Sequence, residues 1–239
     1  MARKARIVAV GCAHHVTQRG NNRQDVFFNT GDRIHYLDLL ALHCYQEGLD
    51  VLGYCLMTNH VHLVVIPHSG QSMARTLRRA HSEFAQSLNR AYQRSGHLWQ
   101  NRFYSCILDE RHLWTALRYV EQNPVRSSLV RRAEEWEWSS AREHLGLRGE
   151  GRVLLRTLEW RGRFTPEEWR QYLEKETAKK TPELEELRAA TRNGWALGSP
   201  EFLSQLGHQT GRVVRPQQTG RPRETEYQKV QTSCRFATE

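Results

Sequence analysis

"LDVLGYCLMTNHVHLVVIP", Leu49–Pro67, decides the fold. Its two halves are apolar runs of strand length, and the polar pair Thr58-Asn59 separates them, so the segment reads as an antiparallel hairpin. The second half carries His60 and His62. Side chains at i and i+2 of a strand share a face, so both imidazoles emerge side by side while Val61 points the other way. Two neutral imidazoles a pleat apart can grip one divalent cation. Taken alone the pair is weak evidence, because HxH also occurs in zinc hydrolases and can simply satisfy backbone groups.

Upstream of the hairpin, "HHVTQRG" predicts a first strand closed by the turn-forming "RGNNR". "NTGDRIHYLDLLALHCYQEG" then places Ile34, Leu37, Leu40, Leu42 and Tyr45 at helical spacing, with Asp32 as cap and Gly48 as stop. Downstream, "SMARTLRRAHSEFAQSLNRAYQRSG" predicts a long basic amphipathic helix ending at Gly96. "RFYSCILD" reads as a strand and "RHLWTALRYVEQN" as a helix that meets Pro124. The order β-α-β-β-α-β-α predicts an α+β fold: an antiparallel-rich sheet with helices on one face, the ferredoxin-like arrangement.

The chain has 239 residues, 35 Lys and Arg against 26 Asp and Glu, and a net charge of +9. That balance points to a polyanionic partner, most often nucleic acid, with a merely soluble basic surface as the plain alternative. Five cysteines, an odd number with no CxxC spacing, predict a reducing cytosol and argue against a disulfide scaffold or zinc ribbon. No apolar run approaches the length of a membrane span, and "MARKARIVAVGCAHH" is a poor signal peptide. A cytoplasmic protein with no membrane partner is expected.

A cation needs more than two ligands, and "LRYVEQNPVRSSLV" supplies candidates on the last helix. Tyr119 and Asn123, at i and i+4, lie on one helical face, with Gln122 nearly as well placed and Glu121 pointing elsewhere. A tyrosine aimed at a cation held by two histidines has a specific use. The cation neutralises a phosphodiester oxygen while the phenol oxygen attacks phosphorus in line. Phenol, with a pKa of about 10, also leaves more readily than an alcohol, so a phosphotyrosine can pass the strand on. Against this, a tyrosine picked at random is usually a half-buried core residue. A barrel-type metal hydrolase would need a larger chain and more His and Asp ligands.

"MTNHVHLVV" together with "YVEQNPVRSSLV" resembles the HUH single-tyrosine transposases of the insertion-sequence type, above all the branch associated with repetitive extragenic palindromes (REP). "HHVTQRGNNRQDVFF", "GHLWQNRFYS" and "NGWALGSPEF" are similar to that branch as well. The resemblance covers most of residues 10 to 145 and returns in the C-terminal part. It implies the HUH endonuclease fold, with His60 and His62 as the HUH pair and Tyr119 as nucleophile. Asn123 would be the third metal ligand, with Gln122 left as the alternative. The implied cation is Mg²⁺ or Mn²⁺, and two imidazoles with an amide suit Mn²⁺ better. The implied activity is metal-dependent single-strand DNA cleavage and strand transfer at a REP-type palindromic hairpin, through a 5′-phosphotyrosine. A monomer is favoured over a dimer. The chain then divides into a catalytic domain (1–150), a helical C-terminal extension (151–212) and a basic, flexible tail (213–239). The main rival is a hairpin DNA-binding protein that keeps the scaffold without cleaving. A zinc hydrolase acting on small molecules is more distant.

The basic residues fall into groups. Arg19, Asn21, Asn22 and Arg23 form a donor-rich loop beside the first strand that could hold a hairpin or an unpaired guide segment. Arg75, Arg78, Arg79 and Ser82 can form one phosphate-facing side of a helix, although an ordinary solvated face looks the same. Arg102 and Arg126 sit inside the matched motifs and rank higher as DNA contacts. Trp99, Phe103 and Tyr104 could stack on unpaired bases, with core packing expected for at least two of them. In the tail, "TGRPRET" sets Arg221 and Arg223 around Pro222, a faint resemblance to a minor-groove hook.

Overall fold

The computed structural model describes residues 6–149, 151–153, 155–156, 162–175 and 181–215. The "TGRPRET" motif and Cys234 lie outside the described residues, and Cys12, Cys44, Cys55 and Cys106 are free thiols. Strands β1 (Ala13–Arg19), β2 (Leu49–Leu56), β3 (His60–Pro67) and β4 (Tyr104–Leu108) form one sheet in the order β2-β3-β1-β4. All three pairings are antiparallel. Helices α1 (Thr30–Glu47), α2 (Ser72–Ala91) and α3 (Glu110–Glu121) connect or follow the strands as the sequence order predicts. The α+β, ferredoxin-like expectation holds, except that helices cover both faces of the sheet rather than one.

Sheet alternation produces two cores. Val16, Val61, Leu63 and Val65 point to the face covered by α1 and α2, packing on Leu37, Leu40, Met73, Leu77 and Phe84. Val64, Ile66, Cys106 and Leu108 point to the opposite face, which α3 covers with Leu113, Leu117 and Val120. Each fully buried Leu or Val contributes roughly 1.5–3 kcal/mol relative to exposure. Helix α3 packs against Gly53: a Cβ there would stand 2.6 Å from Leu117 Cδ2 and 3.0 Å from Ser140 Oγ, so a side chain would force those neighbours to shift.

Later segments complete the second face. Short helices α4 (Asn123–Arg126) and α5 (Ala141–His144) precede α6 (Pro166–Glu174), α7 (Pro182–Asn193) and α8 (Pro200–Thr210). Trp169, Leu173, Leu184 and Leu187 join the same core as α3. Both sheet edges are covered: Leu155 bridges Val51 on β2, and Leu197 bridges Leu108 on β4. No described helix is long and apolar enough to cross a membrane.

Two local expectations are corrected. Asn29, not Asp32, caps α1; Asp32 sits at the third helical position and completes a capping box. The phase of α1 also differs, because Arg33, Tyr36, Leu37, Leu40 and Cys44 are buried while Leu42 is 47% and Tyr45 90% exposed. Gly48 does end the helix, in the left-handed conformation at φ 64°. Helix α3 ends at Glu121, ahead of Pro124, which occupies the first turn of α4, where a missing N–H costs nothing.

Candidate active site

The pairing of β1 with β3 sets Thr17 opposite His62 and Arg19 opposite His60. Residues directly opposite in an antiparallel pair share a face, so His60, His62, His15, Thr17 and Arg19 all point toward α3. There a cleft of about 470 Å³ is lined by these five residues together with Tyr104, Tyr119, Asn123, Arg188 and Thr191. Val61, at 0% exposure, faces the other core.

Each histidine is held. Asn59 Oδ1 lies 2.6 Å from His60 Nδ1, and the Asn59 amide nitrogen donates to the Arg23 carbonyl at 2.9 Å, which identifies the amide oxygen. His60 Nδ1 therefore donates, and its Nε2 lone pair is left for another partner. His62 Nδ1 lies 3.0 Å from His15 Nε2. Burial lowers the pKa of His60 to about 4, helped by Arg19, and that of His15 to about 3. Burial, with His60 and His15 close by, holds His62 well below the ordinary range too. All three rings are neutral near pH 7, the state in which imidazole binds a metal.

Tyr119 enters from α3, edge-on to His62 with ring centroids 5.4 Å apart. It is 6% exposed. Arg188 of α7 donates from Nε to its hydroxyl at 3.4 Å, and the Arg126 guanidinium lies 4.3 Å from the ring centroid. Arg126 also donates to the Tyr119 carbonyl, and burial lowers its pKa to about 10. Arg126 thus sits against the tyrosine rather than in the cleft.

One turn on, Asn123 lines the cleft, and its buried Nδ2 finds no hydrogen-bond partner. Gln122 turns away, donating to the Leu173 carbonyl at 2.7 Å. Glu121 faces deep into the core, where Ser140 Oγ, His144 and Trp169 Nε1 surround its carboxylate at 2.5, 2.6 and 2.8 Å. Among the described residues no three His, Cys, Asp or Glu side chains cluster as a metal site. A third protein ligand would have to come from another residue type, and Asn123, which lines the cleft, could offer its Oδ1.

The other basic candidates are spread out. Asn21, Asn22 and Arg23 form a 3₁₀ turn at the hairpin tip, with Asn22 at φ 50° and Arg23 at φ 60°. Arg75 and Arg79 turn toward α1 and pair with Glu47 at 3.8 and 3.2 Å. Arg78 and Ser82 instead line a groove of about 550 Å³ with Arg102. The expected single phosphate-facing side of α2 is therefore divided, and it lies on the sheet face away from Tyr119. Trp99 packs on His81 and donates to its carbonyl, and Phe103 is buried under Arg6. Tyr104, 39% exposed at the cleft, is the one of the three aromatics free to stack. Sequence reasoning missed His15, Arg188 and Thr191. His15 shares its strand face with Thr17 and was open to an alternation argument, whereas the two α7 residues carried no local signal.

Residues 8–123, just under half of the chain, match the family model described as "Transposase IS200 like". Over that segment the chain is similar to the IS200-like transposases. Two solved structures match the chain. One, a REP-associated tyrosine transposase bound to a REP hairpin, shares 16% identity with a TM-score of 0.53, over 61% of this chain and 86% of that one. The other, a transposase candidate from Deinococcus radiodurans R1, shares 17% identity with a TM-score of 0.36, over 51% of this chain and 97% of that one. No curated protein matches the chain.

Proposed function

We propose that this protein is a transposase of that kind, a metal-dependent single-strand DNA endonuclease and strand transferase that recognises a REP-type palindromic hairpin. The observation that carries the reading is the convergence of the Tyr119 hydroxyl, two neutral imidazoles and the Asn123 amide on one cleft. His60, His62 and Asn123 would hold Mg²⁺ or Mn²⁺, with Mn²⁺ suiting the nitrogen ligands better. When bound, the cation supplies charge neutralisation at a non-bridging phosphate oxygen.

The chain's own residues do the rest. The Tyr119 hydroxyl gives up its proton to solvent and its oxygen attacks phosphorus, the bond to the 3′ oxygen breaks, and that oxygen takes up a proton from solvent, giving a 5′-phosphotyrosine and a 3′-hydroxyl. Arg188, in contact with the phenol oxygen, favours the phenolate as it forms. Arg126 holds the ring in place through its face and backbone carbonyl. Exposed Arg19 at the cleft mouth and Tyr104 beside it offer a phosphate contact and a stacking surface for unpaired nucleotides. The hairpin as target rests on the fold likeness to a hairpin-bound relative and on the net charge of +9. A monomer fits the way α7 already covers the cleft. The test is incubation with a palindromic hairpin oligonucleotide carrying a single-stranded flank, with Mn²⁺, followed by denaturing electrophoresis. A metal-dependent covalent adduct supports the reading, and tight hairpin binding without cleavage supports a binding protein instead.

A further inference from the structure

The contacts behind His62 run in one direction. Thr191 Oγ1, on α7, donates its hydrogen to the Leu187 carbonyl at 2.7 Å, the i−4 bond available to a helical threonine. Its hydroxyl proton is thereby used, so toward His15 Nδ1, 2.8 Å away, Thr191 acts as an acceptor. Its second lone pair faces the Cys106 thiol at 3.2 Å. His15 must then carry its proton on Nδ1, which leaves Nε2 as a lone pair. That lone pair faces His62 Nδ1 at 3.0 Å, so His62 in turn is protonated on Nδ1. The two rings are nearly coplanar, 8° apart with centroids at 5.2 Å, the arrangement an in-plane N–H···N bond requires. Water has little access, because His15, Thr191 and His62 are 2%, 3% and 5% exposed.

We infer that Thr191 and His15 are positioning residues that fix the tautomer of His62, keeping the proton off the nitrogen that faces the cleft. The proposal rests on the metal reading above. If the relay ran the other way, His15 would protonate Nε2 and His62 would carry its proton on Nε2, where a cation must bind. Thr191 thus gives α7, more than 120 positions along the chain from His62, a direct part in preparing the HxH strand. Partners of this kind behind metal-binding histidines typically change affinity by about 10–100-fold when removed.

The test uses the full chain. Long-range ¹H–¹⁵N correlation spectra of metal-free wild type should show Nδ1–H tautomers for both His15 and His62. Thr191→Val, which keeps the shape but cannot accept, should mix those tautomers and weaken Mn²⁺ binding about tenfold by calorimetry. Thr191→Ser should restore both readouts. An Nε2–H His62 in a wild type that binds Mn²⁺ overturns the relay alone. Unchanged tautomers and affinity in Thr191→Val overturn it as well. A wild type with the expected tautomers that binds no Mn²⁺ overturns the metal reading, and with it the purpose assigned to the relay.

Discussion

The Arg188 guanidinium lies over Tyr119, its central carbon 5.4 Å from the ring centroid and its Nε 3.4 Å from the phenol oxygen. One residue comes from α3 and the other from α7, so the helix after the matched family segment contacts the proposed nucleophile. A positive donor beside the phenol oxygen is worth most when that oxygen is an anion, which is during attack or release. Arg188→Gln should therefore lower the single-turnover cleavage rate about 10- to 100-fold, with hairpin affinity changed much less. Rates measured at saturating enzyme check this; an equal loss in binding and rate would make Arg188 a DNA contact only.

Asn59 holds His60 as the His15 relay holds His62. Asn59→Ala removes the acceptor of the His60 Nδ1 proton, and also the bond to the Arg23 carbonyl. Mn²⁺ affinity should fall about tenfold in calorimetry while the unfolding midpoint moves little. Unaltered affinity would place His60 outside the metal site.

Buried histidines set the response to acid. Burial lowers the pKa of His81 to about 3 and of His14 to about 4, from an ordinary 6.5. The unfolded chain therefore binds more protons than the folded one between those values. The stability these rings contribute is fully present above pH 6.5, falls as pH drops below it, and levels off only below the folded values. Urea unfolding at pH 7 and pH 5 should differ by on the order of 3 kcal/mol, and His81→Gln should reduce the slope. A flat profile would contradict neutral burial.

Glu121 is a structural counterpart to the neighbouring site residues. Its carboxylate accepts from Ser140, His144 and Trp169, and it is 0% exposed. Glu121→Ala leaves three buried donors without their acceptor and should cost about 3–5 kcal/mol in urea unfolding. A loss below about 1 kcal/mol would show that water or repacking replaces the carboxylate.

The sequence carried the sheet and much of the site because both depend on short periods. Two-residue alternation put His60 and His62 on one face and Val61 on the other, and the i, i+4 spacing brought Tyr119 and Asn123 to one cleft even though α3 ends at Glu121 and Asn123 opens α4. Choosing Asn123 over Gln122 needed to know what Leu173 offers, and that contact spans 51 positions. The phase of α1 was misread because Leu42 and Tyr45 are apolar yet point outward, while Arg33 and His43 are turned inward. The α2 arginines looked alike at helical spacing, and only Glu47 on α1 separates Arg75 and Arg79 from Arg78. Arg188 and Thr191 sit in an ordinary charged helix whose meaning comes from where it docks.

Tyr119 as the nucleophile of a DNA-cleaving reaction can be read out by mass spectrometry of the protein after reaction with a hairpin oligonucleotide and Mn²⁺. A nucleotide adduct is expected on the peptide containing Tyr119, absent in Tyr119→Phe and absent without metal. Wild-type-level cleavage by Tyr119→Phe, or an adduct on another residue, would contradict it.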